Sequence, residues 1–277
     1  MKNFSTLVPA EFYAPTEKVD TISLMPGFLA MPYNEAAVVM HLPVEGQLEA
    51  NKTTVNFCSK GYALIPNATI FPIIEEKLKA SNLAYQVYYK IHNTAIFFIT
   101  YVLTGSEIEV DGITYNPSIS IQHSYNSQVL YGITPGLKEK DGENVLFGLS
   151  EDYIVSHCTG NTEKIITTTL DTIINYVEKY KSSVSESIAL LTEYDINISE
   201  LEATVEEAID EVKFLKLKDK VVENVLALNK AGSTKVNYWT IYKGFVQELN
   251  ENNTMQHDKR VKLEQYLFDY FTSDEEE

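Results

Sequence analysis

The sequence is short of arginine, of cysteine and of paired glycines. Arg260 is the only arginine among 277 residues. Any shared anion-binding surface would therefore have to be built from lysines. Cys58 and Cys158 are the only two cysteines and stand a hundred positions apart, with no Cys-x-x-Cys pair. That excludes a zinc ribbon and a thioredoxin-type redox couple. The twelve glycines include no Gly-x-Gly, and no Gly-Lys-Ser/Thr is present. The dinucleotide fingerprint and the phosphate loop are thus both missing. His-Glu-x-x-His and Gly-x-Ser-x-Gly are absent too. The longest apolar stretch, Ala95 to Leu103, is broken by Thr100 and falls far short of the roughly 20 residues that span a bilayer. The N-terminus has no basic start followed by an apolar core, so no secretory signal is expected. These absences predict a non-enzymatic, intracellular, soluble protein with no cofactor and no membrane contact.

Positive charge is scarce overall. Lysine plus arginine number 22 against 39 acids, a net charge of −17. Residues 1–150 carry 9 bases and 14 acids (net −5), and residues 151–277 carry 13 bases and 25 acids (net −12). Such a balance repels nucleic acid and anionic membranes over most of the surface. Hydrophobic residues at 44% nonetheless mark a chain that buries a core.

The first 50 residues read as looping or extended chain, punctuated by Pro9, Pro15, Pro26, Pro32 and Pro43. Asn51 to Ile65 reads as a strand, a turn at Gly61 and a second short strand, followed by a helix from Thr69 to Ala80. Ala84–His92 and Thr94–Thr104 are dense in Tyr, Ile, Phe and Val, which favour pleated surfaces. Asp111-Gly112 between apolar runs signals a hairpin. Ser118–His123 and Gln128–Ile133 read as further strands, giving five or six antiparallel strands between 84 and 134. Beyond 150 the apolar period changes from 2 to 3.6. Helices are expected near 161–177, after the Ser199/Glu202 capping box, around 217–228, 239–249 and 263–270. The predicted class is α+β: an antiparallel β-rich core over 1–150, about five helices over 151–272, and an acidic tail at 273–277.

Four features bear on chemistry. Glu107, Glu109 and Asp111 fall at i, i+2, i+4 and would share one side of a strand as hard oxygen ligands for Mg²⁺ or Ca²⁺, or simply form its solvated face. His157-Cys158 would point to opposite faces of a strand, which makes a poor nucleophile–base couple. His123, sharing a face with Ile119 and Ile121, reads as a core or rim histidine. Finally, the β block is rich in tyrosine, and Tyr88 and Tyr101 could stack on unpaired bases. Phosphate contacts would then have to come from Lys77, Lys79, Lys138, Lys140, Lys213, Lys216, Lys218 and Lys220. The competing reading is a tyrosine-rich sheet packed under the helices.

Several motifs in order resemble the uncharacterised "phage/plasmid-like protein" family of phages, prophages and plasmids, over roughly residues 55–250. They are Ser59-Lys-Gly-Tyr62-Ala-Leu-Ile-Pro-Asn67, Ile119 to Ser127, Val155-Ser-His157-Cys-Thr-Gly160-Asn161, and Gly232-Ser-Thr234 followed by Trp239-Thr-Ile-Tyr242. In the second motif Asn126 and Ser127 stand where the family has an acid and a glycine. The resemblance implies a mobile-element setting, and more loosely a role in replication or recombination beside single-stranded DNA. On that basis the expected function is a phage-encoded, non-enzymatic single-stranded DNA-binding or annealing protein in the host cytoplasm. The alternative is a virion component or an inhibitor that docks on a phage or host protein. An aromatic β-rich core also fits assembly of identical subunits, so a homo-oligomer is expected.

Overall fold

A computed structural model describes residues 5–26, 34–44, 50–92, 94–110, 112–129, 131–142, 145–146, 154–156, 186–211, 218–251 and 257–273, with the isolated positions Thr167, Asp171, Tyr176 and Val184. The fold is α+β. Strands β1 (Thr16–Asp20), β2 (Ala36–Leu42) and β3 (Asn51–Cys58) form a three-stranded antiparallel sheet, with the single-turn helix α1 (Thr21–Leu24) after β1. Helix α2 (Asn67–Ala80) follows.

A seven-stranded sheet is then built from β4 (Ala84–His92), β5 (Ile96–Thr104), β6 (Ile108–Val110), β7 (Ile113–Ser124), β8 (Tyr131–Glu139), β9 (Val145–Leu146) and β10 (Ile154–Ser156). Its main path runs β10-β8-β7-β5-β4, with β6 on β7 and β9 on β8, and all its pairs are antiparallel. The Asp111-Gly112 signal lies where expected, between β6 and β7, with Gly112 at φ +74°. Two predicted strands differ. Ser118–His123 is the end of one twelve-residue strand, and the segment predicted at Gln128–Ile133 begins at Tyr131 and runs on to Glu139. Pro135 and two glycines hid the latter from propensity, but pairing along β7 outweighs that weakness.

Every residue of β7 from Tyr115 to Ser124 is buried. The strand is covered on both faces, although its even positions from Asn116 to Ser124 are all polar. On the odd face Phe97, Tyr101, Ile119, Ile121 and Ile133 join Phe12 and the α2 residues Phe71, Ile74 and Leu78 in the core. The start of α2 is pinned to the sheet: the Asn67 amide donates to the Tyr125 hydroxyl at 2.7 Å, and the Asn67 side-chain amide donates to the Phe12 carbonyl at 2.9 Å. One of the orphan N–H groups of a helix terminus is thereby satisfied from β7's end.

The chain after 186 is mainly helical. Residues 186–193 are helical, the short β11 (Asp195–Asn197) pairs with β12 (Lys235–Asn237), and α3 (Leu201–Glu211), α4 (Lys218–Leu228), α5 (Tyr238–Glu251) and α6 (His257–Thr272) follow. The capping box forms two residues earlier than predicted, with Asn197 as cap and Glu200 as its partner. The helix expected near 161–177 falls largely outside the described residues. Helix α5 is the central one. Asn237 caps it by accepting from the Thr240 amide at 2.9 Å, and Trp239, Tyr242, Phe245 and Leu249 are buried. Arg260 serves structure: its Nε donates to Glu264 at 2.7 Å and its guanidinium to the Val145 carbonyl at 2.9 Å, tying α6 to β9.

Gly244 sets how closely α4 and α5 approach. A Cβ there would collide with the Val225 side chain and sit 3.2 Å from the Val225 nitrogen and 3.3 Å from the Val221 carbonyl oxygen. Valine is stiff at χ1 and the other two contacts are backbone, so the helices must part. Gly244→Ala gains about 1 kcal/mol of helix propensity but loses more to overpacking. A net destabilisation of about 1–2 kcal/mol by urea denaturation is expected.

Candidate functional site

Among the described residues, those predicted to bind nucleic acid do not all lie on an exposed surface. Tyr101 is 0% exposed and offers no ring face to a base. This corrects its assignment, because its strand is buried on both sides. Lys138 is also corrected: it is buried, and its ammonium donates to the carbonyls of Glu139 and Gly142, each at 2.7 Å. It does meet one other predicted residue, since its Nζ lies 5.9 Å from the centre of the Tyr88 ring. The half-buried Tyr88 hydroxyl donates to Gln86. Lys218 pairs with Glu206 at 2.7 Å and Lys220 reaches Glu248 at 3.9 Å. Lys77 and Lys79 are exposed in the last turn of α2, where cations suit the helix dipole, and Lys140 is exposed beyond β8. Lys213 and Lys216 lie outside the described residues.

Glu107 and Glu109 are exposed beside β6, Asp111 lies outside the described residues, and among the described residues no three His, Cys, Asp or Glu side chains form a ligand set. His157 and Cys158 also lie outside, as does the end of the acidic tail. Cys58 is a buried free thiol, its pKa raised by burial and only partly offset by Lys18. Among the described residues no helix is long and apolar enough to cross a membrane.

The structure assembles a different constellation at the edge of the large sheet. On β4, Tyr85 and Tyr89 are four apart and share a face. Tyr101 on β5 pairs opposite Val87, so it stands diagonally between them, its ring edge-on to Tyr85 at 5.7 Å. Tyr13 approaches from the N-terminal turn and lies close enough to Tyr89 and to Glu75 of α2 for both to raise its phenol. Glu75 is half-buried, and the Tyr101 hydroxyl is fully covered and without a hydrogen-bond partner among the described residues. Burial pushes the Glu75 carboxyl above its ordinary range, while Lys79 and the nearby Tyr13 hydroxyl pull it back. Burial and then the nearby Glu75 charge raise the phenols of Tyr13, Tyr85, Tyr89 and Tyr101. Sequence reasoning noted the tyrosines of the β block but missed Tyr13 and Glu75. The periods of 2 and 3.6 were the available signal; which helix lies over β4 was not.

A second surface is electrostatic. Residues 182–212 contain no lysine or arginine but nine acids. Glu186, Glu193, Asp195, Glu200, Glu202, Glu206, Glu207 and Asp210 are exposed. Leu190 (43% exposed) and Tyr194 (50% exposed) give the same stretch apolar area. Its own buried stripe of Leu201, Val205 and Ala208 faces inward.

No known protein family, no curated protein and no solved structure matches this chain.

Proposed function

We propose that the protein is a non-enzymatic binding protein whose acidic helical surface docks on a basic protein partner. The observation that carries this reading is the base-free stretch 182–212, with its exposed carboxylates around Leu190 and Tyr194. Opposite potentials speed encounter and fix register, while the apolar residues supply contact area. In the mobile-element setting that the family resemblance suggests, the partner is a phage or host protein. The site of action is then the host cytoplasm or the virion. Single-stranded DNA binding is the competing reading, resting on the exposed Lys77, Lys79 and Lys140.

Affinity capture from host lysate separates the two. The parent protein is expected to retain basic proteins that raised salt releases, and the variant Glu202→Lys/Glu207→Lys/Asp210→Lys is expected to lose them. Retention of the same set by that variant overturns the proposal. So does tight binding of a fluorescent single-stranded oligonucleotide that Lys77→Ala/Lys79→Ala abolishes, since it would favour the nucleic-acid reading.

A further inference from the structure

We propose that Tyr194 is the anchor of the acidic surface, and that the basic partner meets it with an arginine whose guanidinium stacks on the side of the ring away from Tyr238. The proposal rests on the acidic-surface reading and adds to it which side chain the partner brings and where that side chain lands.

The ring is held from several sides. Tyr194 follows the helical stretch 186–193 and precedes β11. The register pairs Asp195 with Asn237, so Tyr194 and Tyr238 meet across the end of the β11–β12 ribbon. The Tyr238 amide donates to the Tyr194 carbonyl at 3.0 Å. The two rings stack with their centres 6.1 Å apart and their planes 26° apart. Tyr238 packs in turn on the buried Phe271 of α6 at 5.2 Å, and Phe271 on Tyr270 at 5.1 Å. Tyr194 is the exposed end of this ladder, with 50% of its surface in water. Leu190, one helical turn earlier, is 43% exposed. A tyrosine fixed in this way offers a large contact area with few rotatable bonds left to freeze, which is the character of an interface hot spot.

Charge decides what lies on that ring. The ladder joins two stretches that contain no lysine or arginine: 182–212, with nine acids, and 263–277, with six. Glu193, Asp195 and Asp269 of these stretches are exposed. Lys235 of β12 alternates to the face of the ribbon opposite Tyr194. Lys138 lies over the Tyr88 ring and Lys243 over the Trp239 ring, each at 5.9 Å, but among the described residues no cation lies over Tyr194. An anion is repelled here, and a neutral side chain gains nothing from the carboxylates. A cation is attracted both by them and by the ring face. Of the two cationic side chains, the guanidinium fits better. It is planar and weakly hydrated, so it lies flat on the ring while its edge donates to carboxylates; the lysine ammonium is compact and strongly hydrated.

The test uses the full-length protein and two fluorescently labelled probes, an oligoarginine and an oligolysine peptide of equal length, compared by anisotropy at one ionic strength. The parent is expected to bind the arginine peptide about fivefold more tightly, the gain from one ring stack. That comparison needs no variant. Tyr194→Leu keeps apolar area and removes the π face, so it should bring the arginine peptide down about fivefold, to the level of the lysine peptide, and leave the lysine peptide within about twofold. Tyr194→Phe keeps the ring and should keep the preference. Glu202→Lys/Glu207→Lys/Asp210→Lys should weaken both peptides together. Equal affinity of the parent for the two peptides, or a preference that survives in Tyr194→Leu, overturns the anchor and leaves the acidic surface standing. Binding of both peptides that the triple charge variant retains in full overturns the acidic surface instead, and the anchor then stands on the Tyr194→Leu result.

Discussion

Trp239→Ala is expected to destabilise the protein by about 3–5 kcal/mol, the range for deleting a buried indole. Trp239 is 0% exposed and opens α5. Its ring meets Tyr115 of β7 edge-on at 5.8 Å and stacks on Tyr242 at 5.9 Å, so it joins the helical part to the large sheet. Alanine would leave both partners with an uncovered face. Tyr115 and Tyr242 are rigid rings, so they fill little of the space by collapse. Small domains are stable by only about 5–15 kcal/mol, so the loss is a large share of the total. Trp239→Phe is the control. The indole Nε1 has no hydrogen-bond partner among the described residues, so phenylalanine discards a buried donor along with some volume. It should cost clearly less than alanine. Urea denaturation of both variants decides the matter. A Trp239→Ala loss below about 1 kcal/mol would show that α5 does not seat on the sheet in this way.

Acidification from pH 6.5 to 4 is expected to remove about 3 kcal/mol of stability through His123 alone. The imidazole is 1% exposed. Its Nε2 lies 2.8 Å from the Ile65 carbonyl oxygen, which only accepts, so Nε2 carries the proton. Nδ1 is then a bare lone pair with no partner among the described residues, enclosed by the rings of Phe97, Tyr125 and Tyr131. A proton on Nδ1 would be a buried charge with no acceptor. Burial accordingly lowers the His123 pKa from 6.5 to about 4, against a smaller upward pull from the Ile65 carbonyl. The unfolded chain takes up a proton near 6.5 and the folded one only near 4. The stabilisation is therefore complete above 6.5 and is lost as pH falls through that window. His123→Gln keeps an N–H for Ile65 and cannot titrate. Its stability should be flatter between pH 4 and 6.5, measured by denaturant titration at stepped pH. An equal slope in parent and variant would assign the acid sensitivity to other groups.

The α+β order was readable because both periods are strong. Ala84–His92 matches β4 residue for residue, and α4 and α5 lie within a residue or two of their apolar stripes. Period also put His123 on the face of Ile119 and Ile121, where it is buried as expected. What period could not show was that β7 is covered twice. Asn116, Ser118, Ser120, Gln122 and Ser124 alternate like a solvated face, yet all are buried. Thr100 and Ser120 hydrogen-bond across the strands at 2.8 Å, which offsets part of the cost of that burial. Tyr101 and Lys138 were misread for the same reason: exposure is set by what lies above a strand, not by the strand.

By itself the sequence determined the chemistry that is absent from the known motifs, the class of the fold, the alternation of each strand and the uneven charge. These are local or additive properties of the chain. Tertiary structure alone decided that Arg260 ties α6 to β9, that Asn67 docks on Tyr125, and that Glu75 of α2 comes near Tyr13. The physical reason is distance along the chain. Glu75 and Tyr13 are 62 positions apart and Arg260 and Val145 are 115 apart. No residue pattern records such neighbours; only packing of the helices on the sheet brings them together.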